Sequence, residues 1–269
     1  MARSRLPGFG LSLGLTLAWA GLLVLLPLAA LVAKAAGAGT AHFGAVVRDP
    51  RVLAALRLSL LTALAAAGVN LVFGSLVAWV LVRYRFPSRG LLDALMDLPL
   101  ALPTAVAGIT LTQLYLPEGW IGRYLPFQVA FAPLGILLAL VFIGLPLVVR
   151  TVQPALLELP PEEEEAAAML GGSRLQVLVR VVLPHLRPAL ITGFALAFAR
   201  GLGEYGSVVF ISANLPFRTE ILPILIVSRL EEYDYQGASV IACLLLVVAF
   251  ALLSVLQLSH RRVGGGRRA

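Results

Sequence analysis

Apolar blocks about twenty residues long recur six times in this chain, near residues 11–32, 58–82, 98–116, 129–149, 189–211 and 238–258. A helix rises 1.5 Å per residue, so a block of that length covers the roughly 30 Å of a bilayer's hydrocarbon core. In a soluble fold the same residues would be spread at amphipathic spacing rather than gathered into runs. The composition agrees, with 59% of residues apolar and only 13% charged, and a mean hydropathy of +0.93. The expected fold class is an all-α membrane protein with six transmembrane helices. A net charge of +7 could suggest nucleic acid, but the arginines gather at the edges of the apolar blocks. That placement suits anchors against lipid headgroups, so the expected contact is lipid and not nucleic acid. The single cysteine, Cys243, lies inside an apolar block, which rules out an intrachain disulfide and points to an inert buried thiol.

The first block follows Arg3 and Arg5 and has a faint cleavage-like Ala33-Lys34-Ala35 after it. It is much longer than the roughly 7–15 residues of a signal-peptide core, so an uncleaved first helix is expected. Residues 34–56 read as an external connection. In the second block Ala63, Ala65, Ala66, Ala67 and Gly68 offer a small-residue face for close helix packing, with Asn70 expected to pack against, or bond to, a neighbour. The third block opens Asp97-Leu-Pro99 and continues to Pro103-Thr104. Two prolines there break the backbone ladder, which a membrane tolerates only beside protein or a water-filled cavity. With Thr110, Thr112 and Gln113 further along, this segment is expected to face a pore. The tail after residue 259 is expected to lie disordered on the membrane surface.

Six spans put both termini on one side. If that side also carries residues 83–89 and 150–187, it holds 13 of the 21 basic residues, which makes it the cytoplasmic one.

Residues 160–184, PPEEEEAAAMLGGSRLQVLVRVVLP, are the longest polar interruption. Pro160 and Pro161 suit a helix start, where their missing donors would be unpaired anyway. Glu162 to Glu165 place negative charge in the first turn, where the helix dipole favours it. Ala166 to Leu170 continue as good helix formers, and Gly171 and Gly172 allow a left-handed stop. A second apolar-faced piece, from Leu175 to Val182, is expected to end at Leu183-Pro184. A solvated acidic loop would account for the glutamates but not for an apolar helix-turn-helix in water. A docking surface accounts for both.

The spacing Glu165-Ala166-Ala167, three residues, Gly171, nine residues, Val181-x-Leu183-Pro184 resembles the "EAA" loop of bacterial ABC-importer permeases, with valine at 181 where isoleucine is usual. The resemblance implies a type I ABC-importer permease core over residues 56–259, preceded by an added helix and connection over 1–55 and followed by a basic tail at 260–269. It implies that residues 155–185 form a coupling loop docked on a separate ATPase subunit, present in two copies. Glu165, Ala166, Ala167, Gly171, Leu183 and Pro184 would be its coupling residues. The chain would bind no cofactor directly, ATP being used by the partner, and it contains no GxxxxGK[ST] loop of its own.

Three further stretches, Asp97 to Gly108, Ser207 to Glu220 and Arg229 to Tyr235, are similar to the T-type permease subunits of sulfate/thiosulfate importers, with Ala213 where glycine would be expected. The block FARGLGEYG, residues 198–206, resembles molybdate and sulfate permeases alike. The resemblance implies a second, W-type permease subunit, a periplasmic sulfate-binding protein and the bacterial inner membrane. Arg200 and Glu204 are one helical turn apart and can pair at membrane depth, and the glycines beside them are expected to let this helix approach a second subunit. Candidates for the translocation path are Pro99, Pro103, Thr104, Arg200, Glu204, Ser212 and Asn214; a polar 212–214 corner would offer donors to an oxyanion. Residues after Asn214 either dip towards the pore or receive the binding protein. The nearest alternative is a molybdate or tungstate permease. An intramembrane enzyme would need a nucleophile or metal cluster, and His42, His185 and His260 are far apart in sequence. A membrane scaffold or receptor would not depend on Glu165 or Gly171.

Overall fold

The computed structural model describes residues 9–264. Arg3 and Arg5 lie outside them, as do the last five residues of the tail. Every regular element among the described residues is helical. Helix α1 covers Phe9–Ala36, α2 Thr40–Arg48 and α3 Pro50–Arg83. Three shorter helices follow, α4 Arg89–Leu95, α5 Leu98–Ala101 and α6 Thr104–Tyr115. Then come α7 Pro133–Glu158, α8 Pro161–Met169, α9 Arg174–Leu202, α10 Val208–Ile211, α11 Leu222–Glu231 and α12 Tyr235–Gly264. Five of these, α1, α3, α7, α9 and α12, are long and apolar enough to cross a membrane, and the bent segment 89–115, counted as one broken span, brings the number to six. The six-span reading holds.

The third crossing is not one helix from 98 to 116. Pro99 falls in the first turn of α5, where a missing donor costs nothing, but Pro103 cannot be absorbed that way. It pushes Leu102 into an extended conformation (φ −78°, ψ 138°), and α6 restarts at Thr104, bent by 110° from the segment before it. Alone, the 12 residues of α6 span only about 18 Å. The crossing is therefore a broken one.

Helix α3 starts eight residues before the expected Leu58, at Pro50. Asp49 caps it, its carboxylate accepting from Arg51 N at 2.8 Å, and Pro50 fills the first-turn site. Much of the expected external connection is thus helical. At the far end of the chain the helix also continues, through residues 260–264 to Gly264, where a disordered tail was expected.

The core is the packing of α3, α7 and α9. The small face of α3 is used in part: Ala63, Ala66 and Ala67 are buried, with Ala78 further along, whereas Ala65 is exposed and a Cβ on Gly68 would meet nothing within 4 Å. A Cβ on Gly74 would meet Val148 at 2.9 Å, and one on Gly144 would meet Asn70 Nδ2 at 2.4 Å, so the backbones approach through these glycines. Asn70 is buried against Gly144, and neither of its side-chain polar atoms has a partner. It packs, and the bond to a neighbouring helix is not made.

Two π turns, Gly21–Leu25 and Leu178–Val182, each come two residues before a proline, Pro27 and Pro184. The wide turn moves aside the carbonyl that the proline ring would otherwise strike. At the second, Leu183 N donates to Leu178 O and the helix runs on. Leu183-Pro184 therefore does not end the amphipathic piece, which is the first part of α9. At its other end α9 stops at Leu202 and not at 211, with Gly203 as its cap.

Candidate functional site

Two regions carry the residues singled out by the sequence. The first is the segment between α7 and α9. Leu159 is extended and Pro160 precedes α8, whose first turn holds Glu162, Glu163 and Glu164. The helix closes in a Schellman turn. Gly172 N donates to Ala167 O at 3.1 Å, Gly171 N donates to Ala168 O at 3.0 Å, and Gly171 takes the left-handed φ of +87° that suits glycine. Ser173 then caps α9 in a capping box with Gln176, a local signal readable in the sequence as S-x-x-Q and missed there. Glu165 and Ala166 are exposed and Ala167 is half-buried. Around the turn Met169 is 83% exposed, Leu170 90% and Leu175 68%. These apolar side chains are left uncovered by the chain itself.

Glu164 is turned the other way. Arg83 Nη2 donates to Glu164 Oε1 at 2.5 Å and to Leu159 O at 3.0 Å. Nearby on the same end of the bundle, Arg150 bridges Asp97 and Asp93, donating to each carboxylate at 2.6–2.8 Å, while Gln153 Nε2 donates to Asp93 at 3.1 Å. This ties α7 to the α4–α5 junction just before the broken crossing. Sequence reading missed both ties, because the partners are 53 to 81 residues apart.

The second region is the crossing of α6 with residues 204–211. Glu204 is 2% exposed. Its Oε2 accepts from Arg200 Nη1, as the spacing suggested, and its Oε1 accepts from Ser207 N at 2.9 Å and Ser207 Oγ at 3.0 Å. Three donors compensate a carboxylate held out of water. Gly108 lies against the Ser207 backbone, where a Cβ would stand 2.4 Å from Ser207 O, and Gly206 lies against Thr104 Oγ1. Thr112 Oγ1 donates to Gly108 O at 2.8 Å and reaches Phe210 O at 3.2 Å. The structure thus brings Pro103, Thr104 and the Arg200–Glu204 pair to one place.

Several expectations change here. Gly201 is buried within the chain against Ala63 and Gly206 lies half-buried against Thr104, while Gly203 is the exposed one of the three. Ser212 and Asn214 spend most of their hydrogen-bonding groups inside the chain. Ser212 Oγ is bonded to Thr219 O at 2.7 Å, and Asn214 Nδ2 donates to Val209 O at 3.0 Å, so the corner is spent on its own turn. That turn is pinned from outside by Arg51, which grips Glu220 through two bonds of 2.7 and 2.9 Å. Pro99 is buried at the α5 turn, away from these bonds. Among the described residues no three His, Cys, Asp or Glu side chains gather as a metal site.

This arrangement can be set beside known proteins. The chain is 50% identical to the sulfate transport system permease protein CysT of Salmonella typhimurium, covering 98% of this chain and 96% of the relative. It is 49% identical to CysT of Escherichia coli with the same coverage. Among solved structures, a bacterial ABC transporter involved in import of the acidic polysaccharide alginate superposes with a TM-score of 0.75 at 17% identity, covering 95% of this chain and 96% of that one. The MetNI methionine ABC transporter superposes with a TM-score of 0.57 at 16% identity, over 86% and 100% of the two chains. At such identities these two show the fold, which is that of ABC-importer permeases. The profile described as "Binding-protein-dependent transport system inner membrane component" matches residues 70–265, and the chain belongs to that family of multi-pass inner-membrane permeases.

Proposed function

We propose that this chain is the T-type permease subunit of an ATP-driven sulfate/thiosulfate importer. The observation that carries the reading is near-full-length identity of 49–50% to two proteins named as sulfate transport permeases. The α8 segment is the coupling element. Its exposed Met169, Leu170 and Leu175 supply the apolar surface, and Glu165 the charge, for docking on an ATPase subunit that hydrolyses the ATP. Glu165, Ala166, Ala167 and Gly171 form the contact, and Leu183 and Pro184 lie in the helix that carries the movement inward. Two ATPase copies, a W-type permease partner and a periplasmic sulfate-binding protein complete the assembly. The arginine distribution supports a cytoplasmic position for α8 and both termini. The permease core is residues 56–259, preceded by the helix and connection of 1–55.

The path for the anion runs beside the broken crossing at Pro99–Thr104 and the Arg200–Glu204 pair, with the Ser212–Asn214 turn shaping its outer wall. The Arg200 side chain is 38% exposed, and its charge is offset by Glu204. A neutralised cation suits transit, because an unpaired clamp on a dianion would hold it too tightly to release.

The test is uptake of labelled sulfate by cells that lack their own sulfate importer and express the chain with its partners. Sulfate accumulation is expected. Recovery of molybdenum-dependent activity without sulfate uptake would replace sulfate by molybdate.

A further inference from the structure

The coupling helix has one ionic hold on the membrane bundle among the described residues, and it is not made by the residues of the EAA spacing. Helix α8 leaves α7 through the short elbow Leu159-Pro160 and otherwise packs chiefly against the first turns of α9. At that elbow stands Arg83, in the last turn of α3. Its Nη2 donates both to the Leu159 carbonyl, at 3.0 Å, and to Glu164 Oε1, at 2.5 Å. The Leu159 side chain is fully buried in the core of the bundle. Trp79, one turn earlier on α3, lies under the guanidinium with the Arg83 Cζ 5.8 Å from its ring centre. Side-chain exposures of 16% for Arg83 and 22% for Glu164 make this a half-buried pair, in contrast to the free surface pairs that contribute little. The helix turns Glu164 inward and leaves Glu162, Glu163 and Glu165 exposed.

Helix α3 packs against both α7 and α9 in the core. A tilt of α8 about the elbow would pull on Glu164, and through it on the end of the helix most central to the bundle. We propose that Arg83 is a positioning residue that, through Glu164 and the Leu159 carbonyl, converts movement of the coupling helix into movement of α3. The proposal rests on the reading of α8 as an ATPase-coupling element, and it adds the residue pair that passes the motion on.

The experiment uses the complete importer complex in lipid vesicles and measures anion accumulated per ATP hydrolysed. Coupling between two sites is commonly a 5–150-fold effect, so Arg83→Ala and Glu164→Gln are each expected to lower that ratio about tenfold, while ATP hydrolysis continues and the complex stays assembled. Exchange of the charges, Arg83→Glu with Glu164→Arg, is expected to recover most of the ratio. Glu164→Gln keeps the side chain's shape, so it remains informative if Arg83→Ala disturbs folding. A pair with a purely structural role would lower thermal stability and reduce transport and hydrolysis in the same proportion; that result overturns the proposal. So does an unchanged ratio in both single variants, or a folded double variant without recovery. If the unmodified complex accumulates molybdate instead of sulfate, the substrate reading fails, and the pair is judged on molybdate per ATP. If the unmodified complex shows no ATP-driven uptake of either anion, the coupling reading fails and the proposal falls with it.

Discussion

The turn at residues 204–220 and the tip at residues 165–175 contain similar residue types, yet they treat them in opposite ways. In the turn, Glu204 and Glu220 are each 2% exposed and are met by Arg200, Ser207 and Arg51 of the same chain. At the tip, Leu170 is 90% exposed and Glu165 stands in solvent. The first region meets its buried carboxylates from within the chain. The second leaves apolar area that the chain itself does not cover. Buried charge in this protein is therefore spent on internal pairing, and the uncovered surface lies at the tip.

Substitutions in the two regions should separate stability from transport. The largest effect is expected from Glu204→Ala, which leaves Arg200 uncompensated in the membrane and removes the acceptor of Ser207. Because Arg200 is 38% exposed, the main loss is the buried acceptor of the Ser207 N–H and hydroxyl, about 3 kcal/mol, read as loss of the folded state on denaturation of the detergent-solubilised protein. Gly108→Ala comes next. Its new Cβ would meet the Ser207 backbone, which cannot rotate away, at a cost of about 1–3 kcal/mol in the same measurement. Gly206→Ala should cost less than Gly108→Ala, since the nearest atom there is the Thr104 hydroxyl, which can turn. At the tip, Gly171→Ala strains a φ of +87° and should cost about 1–2 kcal/mol. Leu170→Ser should be the mildest, within about 0.5 kcal/mol of the unmodified protein, while sulfate uptake in cells falls sharply. A Leu170→Ser protein that loses stability as Glu204→Ala does would erase the contrast between the regions.

How far the sequence could be read follows the same division. The tip is built from neighbours: Pro160 and Pro161 start its helix, and Gly171 and Gly172 end it through bonds to Ala168 and Ala167. The start and stop of that helix are decided within a dozen residues and were legible from spacing, whereas its tie to Arg83, 81 residues away, was not. The turn is built from partners far apart, Gly108 with Ser207 and Arg51 with Glu220, and no local pattern connects them. Ser212 and Asn214 therefore looked like free donors, when most of their hydrogen-bonding groups are spent on the turn itself. The small-residue face of α3 was legible in part: Ala63, Ala66 and Ala67 pack as their spacing suggests, while Ala65 and Gly68 point away from the core. Local signals were also passed over. Asp49-Pro50 is a cap and a first-turn proline, and it marks the start of α3 eight residues before the apolar block begins. Pro103 marks the break in the third crossing for the reason it gave at first sight, but its effect on Leu102 divides one span into two helices.

Glu165→Lys tests the central claim most directly. The substitution lies on the exposed side of α8 and touches none of the bonds that hold the bundle. Reconstituted with its partners, the variant is expected to insert, assemble its six crossings and melt as the unmodified protein does, while ATP-driven sulfate accumulation drops to background. Undiminished sulfate accumulation by a folded Glu165→Lys protein would contradict the account, because the energy of ATP would then be reaching the membrane helices by another route.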